Sequence, residues 1–440
     1  MRPNLHLLLL AAASLAFSVS CAQTDSRPPA AEASPGYVFK DSITRDVLGN
    51  YLARSMTMMD LLSGRGNVDD NIRMMTNCGV KFAGRALYLW GKESNLENIM
   101  KTAGQIVPKV RQADPDVMLQ ACVFEIVSKQ VSGVLVPLRV FQEFGLPAEE
   151  RTFNYEAMIY QNGKLVDHWY KNASVPDITR TETRMWFYYL ATRYIDAGCE
   201  AIHFGQVELI GRNDKGYAHW WDLLERVRKY ARANARRGMV LCDAHTPKGG
   251  PRLKDGRLLF DFHSFPLRIK EVPGRPQQAV LEVGYLDSLF GRSDGGITPS
   301  GWRCKHLPYL VELDNYGSSG REGQAIADYW VWGYDEIGWF AHQPESYRNE
   351  WLQYAWGWVR QHDSNGYLQM PGSRCLASPV TQPNGKKVDW YFANTPGTAT
   401  PDGFNQEEAI RRIWRQDSPQ STLPAAKTSP SQSQHEASHP

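Results

Sequence analysis

Leu241-Cys242-Asp243-Ala244-His245 and, shortly after it, Phe260-Asp261-Phe262-His263 decide how this chain folds. Both are apolar strand-like runs that end in ionisable groups. The pattern recurs in Cys122-Val123-Phe124-Glu125, Phe204-Gly205-Gln206-Val207-Glu208 and Leu310-Val311-Glu312-Leu313-Asp314. Burying a carboxylate costs several kcal/mol unless it is paired, hydrogen-bonded or protonated. Repeating that cost at strand after strand implies that the strand ends meet in one place. A parallel (β/α)8 barrel meets this condition, because its site lies at the carboxyl ends of its strands.

Outward from these runs, strand and helix patterns alternate along the chain, which argues an α/β fold with a parallel sheet. Strands are expected within 52–62, 80–90, 117–128, 200–211, 239–247, 258–265, 307–315 and 337–342, with amphipathic helices between them. The polar, aromatic segment 145–176 breaks the repeat and reads as an insertion over the active-site face. An apolar run at 388–393 reads as a small appended element. The expected organisation is an export segment at 1–22, a tether at 23–36, one TIM-type barrel with elaborated loops at 37–375, a small C-terminal appendage at 376–416 packed on the barrel, and a disordered tail at 417–440.

The first residues have the thin positive start, apolar stretch and small residues of a secretory signal. Cys21 is a possible lipid-modified residue, so the expected location is secreted, periplasmic or anchored to a bacterial outer membrane. The net charge of +2, from 49 basic and 47 acidic residues, gives no reason to expect a nucleic-acid partner. The basic run Arg226, Arg228, Lys229, Arg232, Arg236 and Arg237 reads as a helix face. Cys78, Cys122, Cys199 and Cys242 read as small buried hydrophobes, and Cys304 and Cys375 as a possible pair in loops. No zinc-ribbon spacing is present.

Side chains two apart on a strand share a face. Asp243 with His245, Asp261 with His263, Gln206 with Glu208, and Glu312 with Asp314 therefore form polar pairs near strand ends. In the strand count, Glu208 closes the fourth strand and Glu312 the seventh. This placement resembles the (β/α)8 glycoside hydrolases that carry an acid/base Glu on strand four and a nucleophile Glu on strand seven. Val207 stands where that clan usually has Asn, with Gln206 one place earlier. The resemblance implies cleavage of a poly- or oligosaccharide, with Glu208 as acid/base, Glu312 as nucleophile or second carboxylate, and no cofactor. One carboxyl group protonates the leaving oxygen while the other attacks, or activates water. Glu125, Gln206, Asp243, His245, Asp261, His263, Asp314 and Asn315 would bind and orient the sugar.

The aromatic content, with 14 Trp and 20 Tyr, fits a carbohydrate ligand, because sugar rings stack on such side chains. Trp302, in a Gly/Pro/Ser-rich loop, is the expected sugar platform, with Trp90, Trp169, Tyr170, Tyr316 and Trp339 as further loop aromatics. Two rival readings stand beside this one. Asp243, His245, Asp261 and His263 would together bind a divalent metal in a hydrolase, isomerase or lyase. A non-catalytic carbohydrate-binding barrel would also use the aromatic residues.

Overall fold

The computed structural model describes residues 35–246, 251–285, 293–382 and 385–416. The export segment, Cys21, most of the tether, and the tail lie outside the described residues. The central sheet runs β1 (Ser55–Met58), β2 (Phe82–Tyr88), β3 (Met118–Cys122), β4 (Ala201–Gln206), β5 (Leu241–His245), β6 (Phe262–Pro266), β7 (Tyr309–Glu312) and β8 (Gly366–Thr381) in chain order. Every neighbouring pair is parallel, and β8 pairs with β1 to close the barrel. A ninth strand, β9 (Lys387–Phe392), runs antiparallel beside β8.

Helices pack outside this ring: α2 (Val68–Cys78), α3 (Leu96–Ala113), α4 (Thr181–Asp196), α5 (Ala218–Asn234), α6 (Glu336–His342), α7 (Glu345–His362) and α8 (Glu407–Gln416). An earlier helix, α1 (Arg45–Ala53), closes the amino-terminal end. Its Leu48, Tyr51 and Leu52 pack against Phe82, Met118, Ala201, Leu241, Phe262 and Leu310, the first inward residues of successive strands. This apolar floor leaves the opposite end for polar groups. Among the described residues no helix is long and apolar enough to cross a membrane.

The eighth strand is not where the sequence reading placed it. Residues 337–342 belong to α6, whose Asp335 side chain caps the helix by accepting from the Gly338 amide at 2.7 Å. Ile337 to Ala341 are buried all round, and a short run of that kind shows no period that separates strand from helix. The true β8 contains Pro371, Gly372 and Pro379, residues that argue against a paired strand. A register shift against β1 between Thr57 and Met58 falls opposite this stretch. β8 itself runs across residue 375.

Candidate active site

Above the floor, the inward residues change from apolar to polar within one layer. Thr57, Gln120, His203, Asp243, Ser264 and Glu312 form this layer, all buried. Asp243 is fully buried, yet its carboxylate has three partners. Gln120 donates through Nε2 at 2.7 Å, Ser264 through its hydroxyl at 2.6 Å, and His203 through Nδ1 at 2.7 Å. Burial, reinforced by the Arg85 charge, lowers the His203 pKa. A neutral ring donating from Nδ1 leaves Nε2 as its basic atom. On β2, Gly84 lets the layer close: a Cβ there would sit 1.8 Å from the Gln369 amide nitrogen.

Glu312, in the same layer, is the centre of a second network. Its Oε1 accepts from Arg85, through Nε at 3.0 Å and also through Nη2. Its Oε2 accepts from the Thr57 hydroxyl at 3.1 Å and from Arg374 Nη1 at 2.5 Å. Burial would raise the carboxyl pKa, but Arg374 and Arg85 outweigh it and hold Glu312 down at about 2. Arg374 also donates to Asp314 at 2.5 Å and to the Asn315 side-chain amide oxygen at 2.9 Å. Arg85 reaches this place because β2 bulges: register shifts between Ala83 and Leu87, and Arg85 is left-handed with φ of 59°. A bulge of this kind re-aims a side chain.

A cavity of about 780 Å³ opens over this network at the carboxyl ends of the strands. Aromatic groups wall it: Tyr88, Trp90, Phe124, Trp169, Tyr316 and Trp390. Trp90 meets Phe124 and Trp169 edge-on at 5.4 and 5.0 Å. Trp169 comes from the insertion and donates its indole N–H to the Glu125 carbonyl at 2.8 Å, so that insertion does fold over the mouth. Glu125 accepts from Gln206 twice, at the main-chain N and at Nε2, both at 3.0 Å. Asp60, at the end of β1, lines the same cavity and accepts from the Tyr88 hydroxyl at 3.2 Å. Burial pushes its carboxyl above the ordinary value, against the lowering effect of Tyr88, Arg65 and Lys92.

Of the residues singled out in the sequence, Glu125, Gln206, His245, Glu312, Asp314 and Asn315 line the cavity, and Asp243 lies just beneath it. Glu208 falls elsewhere. The chain turns helical at Val207–Ile210, which places Glu208 half-buried, near enough to Tyr217 for its charge to act on that phenol, and off the cavity wall. The two Asp-x-His pairs also separate. In β6 it is Phe262 and Ser264 that face inward, so Asp261 and His263 face the helices. Asp261 accepts from the Cys242 amide at 2.9 Å and lies 3.9 Å from Arg228 on α5, and burial raises its pKa to about 6. His263 contacts the Thr246 hydroxyl at 2.9 Å, and burial lowers its pKa to about 4. The four-residue metal set therefore does not assemble, and among the described residues no other group of His, Cys, Asp and Glu is placed to hold a metal ion.

Trp302 corrects another expectation. Its indole donates to the Ile43 carbonyl at 3.2 Å and packs on the apolar floor, at the end of the barrel away from the mouth. Cys304, two residues on, lies near Gly296, whereas Cys375 lines the mouth, and both are free thiols. Trp339 is buried inside α6. The sequence reading missed Asp60, Arg374 and Trp390. Arg374 had one available signal: a carboxylate buried as deeply as Glu312 requires cationic partners.

A closed parallel barrel with a polar cavity at the carboxyl ends of its strands defines this chain as a TIM-type barrel, an architecture that commonly houses enzymes. Set against known proteins, the chain matches no family model and no curated protein.

Proposed function

We propose that the protein is a glycoside hydrolase whose reaction takes place in the mouth cavity. The observation that carries this reading is an aromatic-walled cavity in which two carboxyl groups are tuned in opposite directions, Glu312 down to about 2 and Asp60 up. Environments that push carboxyl pKa values apart assign the acid and its counterpart. Glu312 is then the ionised carboxylate that attacks or stabilises the sugar cation, and Asp60 carries the proton for the leaving oxygen. This moves the acid role from Glu208 to Asp60. The inner charges neutralise one another, and Gln206 and Asn315 are themselves held by Glu125, Arg374 and Cys375, so the aromatic faces are left to bind the C–H faces of the sugar. The export pattern at residues 1–22 fits a polysaccharide met outside the cytoplasm.

A second reading, a non-catalytic sugar-binding barrel, draws on the saturation of Glu312, since both of its oxygens already accept from arginine. Reducing-end release from a panel of soluble glycans separates the two. The hydrolase reading expects release by the wild type, and its loss in Asp60→Asn with unchanged thermal unfolding. Sugar binding without release supports the second reading.

A further inference from the structure

Two cations at the rim of the cavity differ from those inside it. Arg85 and Arg374 are consumed by Glu312 and Asp314. Arg65, just after the turn Leu61–Ser63, and Lys92, just before the turn Glu93–Asn95, line the same cavity and are exposed. Among the described residues neither has a carboxylate at ion-pair distance. Both charges act on Asp60, which places them on the side of the cavity assigned above to the proton donor.

The Arg65 guanidinium is also held in place. It lies 4.5 Å from the centre of the Trp390 ring, contributed by β9. Stacking fixes the plane of the guanidinium and leaves its edge to donate, and a fork of that geometry matches a carboxylate or sulfate oxygen pair. The Trp390 indole N–H has no hydrogen-bond partner. The Asn95 and Asn98 amides line the same rim. Two cations without a carboxylate partner, one of them a guanidinium held over an indole, are complementary to an anion on a sugar.

We infer that Arg65, Lys92 and Trp390 form a subsite for an anionic substituent, carboxylate or sulfate, so that the substrate is an acidic glycan. This deepens the hydrolase reading and rests on it for the word substrate; the subsite itself is tested by binding alone.

The test is titration calorimetry on the full chain with two matched probe pairs. One pair is an oligogalacturonide and its methyl ester; the other is a sulfated galactan oligosaccharide and its desulfated form. The acidic member of at least one pair is expected to bind roughly ten-fold more tightly than its neutral match, a difference of about 1.4 kcal/mol. Which pair responds tells carboxylate from sulfate. Arg65→Ala and Lys92→Ala are each expected to lose roughly five- to ten-fold for the acidic probe and little for the neutral one. Salt at about 1 M, where the screening length falls to about 3 Å, is expected to erase the preference. Equal binding within both pairs, no binding of either acidic probe, or a preference that survives Arg65→Ala combined with Lys92→Ala overturns the subsite. Tight acidic binding without cleavage removes the hydrolase reading and keeps the subsite. Cleavage of a neutral glycan with no acidic preference does the reverse.

Discussion

Glu312 shows how one buried residue ties stability to the site. Its carboxylate is the shared counter-ion of Arg85 and Arg374; without it Arg85 loses its ion pair and Arg374 keeps Asp314 alone. Breaking one partner of such a buried set costs about 3–5 kcal/mol, so Glu312→Gln is expected to lower unfolding free energy in urea by that order as well as to abolish turnover. The pH dependence has a definite sign. The folded pKa, about 2, lies below the ordinary 4.5. The stabilisation is therefore complete above about 4.5 and is lost as pH falls from there towards 2. Wild-type unfolding free energy should decline more steeply across that window than that of Glu312→Gln; parallel declines would show that the carboxylate is not held by the arginines. Asp243 makes a separate case. Removing it as Asp243→Ala strands Gln120, His203 and Ser264, with an expected loss of roughly 3 kcal/mol in the same measurement.

Register and bulges decide which residues belong to the site. Alternation along β6 was legible in the sequence: Asp261 and His263 do share a face. Which face is buried inside the barrel was not, because Phe262 and Phe265 are both apolar and a parallel strand is covered on both sides. The bulge that turns Arg85 inward depends on a single left-handed residue and leaves no sequence mark. Gly205, the residue before the last of β4, has φ of 56°, and a Cβ there would stand 2.0 Å from Glu125 Oε2. Gly205→Ala is expected to cost roughly 1–2 kcal/mol in backbone strain and to push Glu125 off Gln206. Lower thermal stability together with weaker glycan binding would be the signature, and an unchanged melting temperature would contradict it.

At the scale of the whole molecule, the order of the first seven strands was readable because each is a separate apolar run closed by polar residues. The eighth was not, since its prolines disguise it and α6 imitates a strand. The C-terminal strand and helix pack on the barrel as the expected appendage. Ile410, Ile413 and Trp414 of α8 belong to the main core, Glu407 accepts from Arg73 at 2.7 and 2.9 Å, and the Trp414 carbonyl accepts from Arg54 at 2.9 Å. Trp414→Ala is expected to cost about 3–5 kcal/mol and to shift one unfolding transition as a unit; a separate early transition would mean that α8 folds apart from the barrel. The proposed function rests on the mouth cavity, where Asp60 and Glu312 share walls with Trp90, Trp169 and Trp390. The most direct test compares reducing-end release from acidic and neutral polysaccharides by the wild type, Asp60→Asn, Glu312→Gln and Glu208→Gln. The expected result is release by the wild type and Glu208→Gln, and none by Asp60→Asn or Glu312→Gln. Release by Asp60→Asn with loss in Glu208→Gln, or no release from any glycan by the wild type, would contradict it.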